Sequence, residues 1–282
     1  MADVAFGNTQ VGPTKQELVA AVVQRELIEA AKVAPRCLDV SRFSVEGAQT
    51  IDFPKAGSLT IINRAEGTAG DAAVIPYTVD TLPLDKNAYV AWIVDYKSKV
   101  QSAIDVQLDL AARAARAHAE YLDLQIIAEL EAAGDATTTA GAISYAITLE
   151  MMERFHTRNG NVAQASLLVG PSSWSTLLNI DEFKRAEVYG SATIPTGVIG
   201  KIHGVDVIMS SKVTGSSYYL FDKEAICFGL QAGPSYSEQG ANEFGSQAKR
   251  AVLDQIFGVK ALFVGQEGAG ATESALIIKD NN

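Results

Sequence analysis

A single long helix constrains this chain more than any other feature. From Ser98 to about Ala133 an apolar or small residue returns at Ile104, Leu108, Ala111, Ala115, Ala119, Leu122, Ile126 and Leu130, a continuous stripe with the helical period. Ser98 and Gln101 form a capping box that satisfies backbone N–H groups left free by the first turn, and Gly134 stops the helix. Asp109 and Arg113 add a favourable i,i+4 pair on the wet side. At the rise of an α-helix this rod would be about 50 Å long. That exceeds most single-domain helices, so the other elements must be arranged along it.

The flanking stretches have different textures. Thr14 to about Val33 is amphipathic, with Leu18, Val22, Leu27 and Ala31 returning near the helical period, and Thr14 with Glu17 forms a second capping box. Ala34-Pro35 ends that helix, and residues 1 to about 13 read as a loose arm. Ser44 to Val94 turns to strands: Ser58 to Ile61 alternates, and Ala73 to Val79 is rich in β-formers. Arg64 to Asp71, small and polar with two glycines, is the expected tip of a long hairpin. Tyr89 to Val94 is apolar at every position and predicts a strand buried on both faces.

Beyond Gly134 the expected elements are a helix from Ile143 to about His156, a strand from Ala165 to Val169, and a helix from Pro171 to about Ala186. Ser172 or Ser173 is the expected cap of the last. Gly190 to Gly200 reads as a loop, followed by strands at Val205–Met209, Tyr218–Phe221 and Ala225–Leu230. Further β-type runs at Ala251–Val264 and Ser274–Lys279 are split by the glycine-rich stretch from Gly265 to Gly270. The fold class is α+β.

Composition limits what such a chain can do. It has 282 residues, 48% of them hydrophobic, enough to bury a real core. Twenty-three basic residues against 33 acidic ones give a formal charge of −10, and there is no dense Lys/Arg cluster. A clamp on nucleic acid would carry a basic face. This balance suits a container better than a clamp. The start, MADVAFGNTQ, is unlike a signal peptide, and no stretch offers the run of apolar residues a membrane helix needs. The expectation is a soluble protein made in a cytoplasm, with Cys37 and Cys227 as free thiols.

No catalytic constellation emerges. His118, His156 and His203 belong to no metal-ligand spacing, and structural roles are expected for them. The glycines at 265, 268 and 270 lack the Lys-Ser/Thr of a phosphate loop, and no G-x-S-x-G elbow exists. Asp105 and Asp109 lie one turn apart but read as a solvated helix face. Trp92 and Trp174 are expected as core or interface anchors. No enzyme activity, cofactor or metal is expected.

The order of elements then becomes informative: arm and helix, long hairpin, very long helix, compact α/β region, returning strands. With it come local patterns in Tyr121-Leu122-Asp123-Leu124-Gln125-Ile126-Ile127, in Leu168-Val169-Gly170-Pro171 with Trp174 and Leu177-Leu178, and in the glycine-punctuated run from Gly197 to Ser210. In these features the chain resembles the major capsid proteins of tailed bacteriophages, with the Hong Kong 97-type fold. An encapsulin-like shell is the nearest alternative, and a soluble α/β enzyme a more distant one.

The resemblance implies an N-terminal arm at 1–47, an extended loop at 48–96, a peripheral domain at 97–135 and 245–282, and an axial domain at 136–244. It also implies pentamers and hexamers of an icosahedral shell enclosing double-stranded DNA, assembled in a host bacterial cytoplasm. The partners it implies are further copies of the chain, a separate scaffolding protein and a portal. Residues Arg64, Glu66, Asp71, Asp80 and Asp85 of the loop are the expected inter-subunit contacts. Between Ala65 and Asp85 there are acids but no Lys or Arg, which predicts a basic complement on a neighbour. The loop tip has no Lys, so the covalent subunit cross-link of some family members is not expected here.

Overall fold

The computed structural model describes residues 31–45, 47–56, 77–94, 106–139, 141–180, 198–239, 249–265 and 273–280. The Thr14–Val33 helix up to residue 30, the Ser58–Ile61 strand, the hairpin tip and the capping box at Ser98 lie outside them.

The long helix, α1, is described from Val106 to Ala133. Its 28 described residues correspond to about 42 Å. Ala111, Ala115, Ala119, Leu122, Ile126 and Leu130 are buried as the stripe requires, whereas Leu108 is exposed. Periodicity places Leu108 on the buried face, but there it is Gln107 that turns inward, its amide donating to Tyr236 and Glu238. Asp109 and Arg113 pair at 2.9 Å. The helix ends at Gly134, where a Cβ would meet the Leu130 carbonyl oxygen at 2.7 Å.

Two sheets share this helix. A four-stranded sheet has the order β1-β10-β11-β4, formed by Leu38–Asp39, Ile226–Gln239, Lys249–Ala261 and Lys86–Val94. Its alanine-rich contact with α1 is close, with Ala111, Ala114 and Ala115 packed on Leu253 beside Val90, Trp92 and Tyr236. Strand β10 extends well past the Ala225–Leu230 reading. Gly233-Pro234 conceals the continuation in sequence, and a register shift between Ala232 and Ser235 lets the strand pass them.

A six-stranded sheet has the order β5-β12-β9-β6-β8-β7, formed by Asp135–Ala136, Ile277–Lys279, Tyr218–Phe221, Ser166–Val169, Val205–Met209 and Val198–Ile202. Every residue of β6 and β9 is buried, so these strands read as continuous apolar runs. The β7–β8 hairpin turns on His203 and Gly204, both with positive φ (49° and 85°), as a two-residue primed turn demands. Helix α2, Tyr145–Thr157, packs here through Ile147, Met151 and Phe155, and Ser144 caps it by accepting from the Ile147 N–H. Asn159 at φ 58° and a Gly160 N–H donated to Phe155 close its C-terminal end.

Helix α3 spans Pro171–Leu177, shorter than the expected run to Ala186, and ends in a turn through Leu178–Ile180. Gly170 is its cap residue, not Ser172 or Ser173. Both serines donate instead to the carbonyls of Gly215 and Ser216, and so staple α3 to the loop before β9.

The remaining pair is a two-stranded ribbon, β2 (Thr50–Ala56) and β3 (Tyr77–Pro83), antiparallel with Thr50 opposite Pro83 and Ala56 opposite Tyr77. Among the described residues its core lies towards the base, where Ile51, Leu82 and Leu84 pack with Val40 and Cys227 beside Phe53. Gly258 of β11 passes so close to the Pro83 carbonyl that a side chain there would collide with it.

Candidate subunit-interaction surface

The surface begins at β4. The sequence predicts a strand buried on both faces, but the burial alternates, and Tyr89 and Ile93 are 68% and 56% exposed. The inward residues Ala88, Val90 and Trp92 pack towards α1 and the core. The outward ones have no layer of the same chain above them among the described residues. An apolar alternate face therefore marks a sheet covered on one side only. Strand β4 is also the last in its sheet, with β11 along one side. On the adjacent ribbon Val79 is 60% exposed. Large apolar side chains exposed on an edge strand, with another on the ribbon, are the type of surface that a protein partner covers.

Of the expected contact residues, Arg64, Glu66 and Asp71 lie outside the described residues. Asp80 stands on β3 opposite Phe53 and is partly buried. Asp85 follows that strand and is exposed, with the Lys86 ammonium 4.0 Å away. The Lys260 ammonium donates to the Thr81 carbonyl at 2.7 Å, fastening the ribbon base to β11.

One residue carries a role that periodicity did not assign. Asp123 sits inside α1 yet is buried, and its carboxylate accepts from the backbone N–H groups of Lys32 at 2.8 Å, Ala34 at 3.0 Å and Val33 at 3.2 Å. Burial pushes its carboxyl above the ordinary range, and those three donors pull it partly back. The bonds hold the segment preceding β1 against the long helix. The signal in the sequence is an acid between two buried apolar neighbours of the stripe, Leu122 and Ile126.

The other titratable groups have structural surroundings. His118 is buried with Nε2 at 3.2 Å from the Leu253 carbonyl, which can only accept, so Nε2 carries the proton. Burial lowers its pKa and keeps the ring neutral. His203 lies 3.4 Å from the Thr148 hydroxyl and stacks obliquely on Tyr145. Cys37 and Cys227 are free and buried, and burial raises both thiols. Trp92 lies 6.1 Å from the Tyr236 ring. Beside α2, a hollow lined by Met151, Leu167, His203 and Leu220 has a volume of about 10 Å³, room for one water molecule at most. Among the described residues no group of His, Cys, Asp and Glu could hold a metal ion, and no helix is long and apolar enough to cross a membrane.

Comparison with solved structures identifies this architecture. The chain is similar to a structure from Mycobacterium phage Che8 at 18% identity, covering 98% of each chain with a TM-score of 0.64. The mature capsid of bacteriophage PhiM1 matches at 10% identity over 99% of this chain and 91% of that one, TM-score 0.64. A virus-like particle from Pyrococcus furiosus matches at 10% identity over 95% and 100%, TM-score 0.62. The fold is the Hong Kong 97-type capsid fold. Residues 84–264 match the model of the phage capsid protein family, and the chain belongs to that family. A comparison with curated proteins finds no match.

Proposed function

We propose that this capsid protein is the major shell subunit of a tailed phage, assembling into the pentamers and hexamers of an icosahedral shell around double-stranded DNA. The observation that carries this reading is the open apolar region of β4 and the ribbon, with Val79, Tyr89 and Ile93 facing solvent in the single chain. A neighbouring copy laid over it would bury that surface, and repetition of such a contact around rings closes a shell. In this layout residues 1–47 form the arm, 48–96 the loop, 97–135 and 245–282 the peripheral domain, and 136–244 the axial domain. Arg64, Glu66, Asp71, Asp80 and Asp85 of the loop meet a basic patch on the next subunit. The role is structural and needs no cofactor. The chain's acidity suits DNA enclosed without specific contacts, and assembly proceeds in the host cytoplasm with a separate scaffolding protein and a portal.

The chain is also similar to a virus-like particle from Pyrococcus furiosus, and the second reading is an encapsulin-like shell, which would enclose protein in place of DNA. Sedimentation and negative-stain microscopy of the purified chain, alone and with candidate scaffold, test the proposal. Closed shells protecting DNA from nuclease support it, and shells loaded with protein favour the second reading. A sharp monomer or dimer under every condition overturns both. Boiled particles run on a denaturing gel as single subunits, because the loop tip from Arg64 to Asp71 contains no Lys.

A further inference from the structure

The four-stranded sheet turns one face to α1 and has no layer above the other among the described residues. On the α1 side Ala251, Leu253 and Gln255 of β11 are buried. The alternate residues Arg250, Val252 and Asp254 point the opposite way and are partly exposed. Register fixes what flanks them on this open face. Ile93, Ala91 and Tyr89 of β4 stand opposite Arg250, Val252 and Asp254 in that order. Gln239, Ser237 and Ser235 of β10 stand opposite them on the other side. The flanking residues of both strands are exposed.

This face is complementary to itself. Arg250 and Asp254 carry opposite charges at equal distances on either side of Val252, and neither forms a salt bridge among the described residues. A second copy, turned about a two-fold axis that crosses the strands above Val252, runs its β11 antiparallel to the first. Arg250 of each copy then lies over Asp254 of the other. The same rotation sets Tyr89 over Ile93 along β4 and Ser235 over Gln239 along β10, each contact made twice. A copy laid parallel would instead set Arg250 over Arg250 and Asp254 over Asp254, and like charges brought together are repelled.

We infer that the open face of β4, β11 and β10 is an isologous contact, two copies of this chain packing sheet on sheet about a two-fold axis at Val252. The inference rests on the proposed shell and specifies how subunits of adjoining rings meet. Three strands over five residues cover a patch of about 14 by 17 Å. That is well below what a lasting dimer buries, so the contact is weak singly and holds through repetition in one shell.

The test assembles the purified full chain with candidate scaffold and reads shell yield by sedimentation. Arg250→Asp or Asp254→Arg alone sets like charges over each other twice per contact, so yield should fall roughly tenfold or more with subunit melting unchanged. The double variant Arg250→Asp, Asp254→Arg restores both pairs, and its yield should return to within about threefold of wild type. Single variants that assemble normally, or a folded double variant no better than the singles, overturn the inference and leave the shell reading standing. Wild-type chain that never forms shells sinks both. Independently, Ala91→Cys shells treated with a short bis-maleimide should yield subunit dimers joined through position 91 of both copies, Cys37 and Cys227 being buried. The absence of that product from assembled shells also overturns the inference.

Discussion

Asp123 illustrates how much one residue can fix. Its carboxylate serves three backbone donors of a segment about ninety positions earlier in sequence, in a site closed to water. Removing the acceptor strands buried N–H groups, each costing about 1–3 kcal/mol. Asp123→Ala should therefore lower stability by about 3 kcal/mol in urea titration and abolish amide protection at residues 32–34, with Asp123→Asn milder because its amide oxygen still accepts. Glu150 makes a different point. Desolvation tends to raise its carboxyl, but the hydroxyl and amide donors of Thr138 and Thr139 outweigh that and hold it down to about 2. A depressed carboxylate contributes stability above its unfolded value, near 4.5, and loses it as pH falls towards 2. The stability gap between the wild-type chain and Glu150→Gln should be full at pH 6 and shrink progressively from about pH 4.5 downwards.

At the scale of elements, α1 is stabilised by what it touches more than by its own propensity. Its first described half rests on the four-stranded sheet through alanines, and its second half meets both sheets through Leu122, Ile126 and Leu130. Alanines let the helix axis approach the strands closely, so Leu253 fills the whole gap and is fully buried. Leu253→Ala should cost about 2–5 kcal/mol, through the buried contacts removed and the void left between α1 and β11. Calorimetry of the unassembled chain would read this as a lowered melting temperature; a loss below about 1 kcal/mol would mean that the helix can settle onto the strands. The ribbon β2–β3 differs, its described core being the small cluster towards its base. An isolated two-stranded ribbon is marginal in water, so the described part of this one leans on the cluster of Ile51, Leu82 and Leu84.

For the whole molecule, the exposed apolar face of β4 separates folding from assembly. Ile93 lies outside the core of the single chain, so Ile93→Asp should leave its melting unchanged within about 0.5 kcal/mol. The same substitution places a charge where a neighbouring copy is proposed to pack, and buried unpaired charge is prohibitive. Sedimentation should then find folded subunits and no shells. Wild-type yields of shells from this variant would remove β4 from the contact.

Much of this architecture is legible in the amino-acid order alone. The 3.6-residue stripe marks α1, the all-apolar runs mark β6 and β9, and the succession of elements marks the capsid fold, because these signals are local or lie in the sequence order of elements. Legibility fails wherever the deciding partner is distant in the chain. Tyr89 to Val94 reads as buried on both faces because hydrophobicity cannot say whether the covering layer belongs to the same molecule. The serines after Gly170 look like caps, since nothing nearby reveals the carbonyls of Gly215 and Ser216 that claim them. Of the expected loop contacts, only Asp80 and Asp85 lie among the described residues, and their placement does not identify a partner. Sequence alone determined the long helix, the all-apolar strands and which family's order the elements follow. Tertiary structure alone decided that Asp123 is a clamp, that Gly258 yields to Pro83 and that β4 keeps one face open, because each depends on groups brought together only when the chain folds.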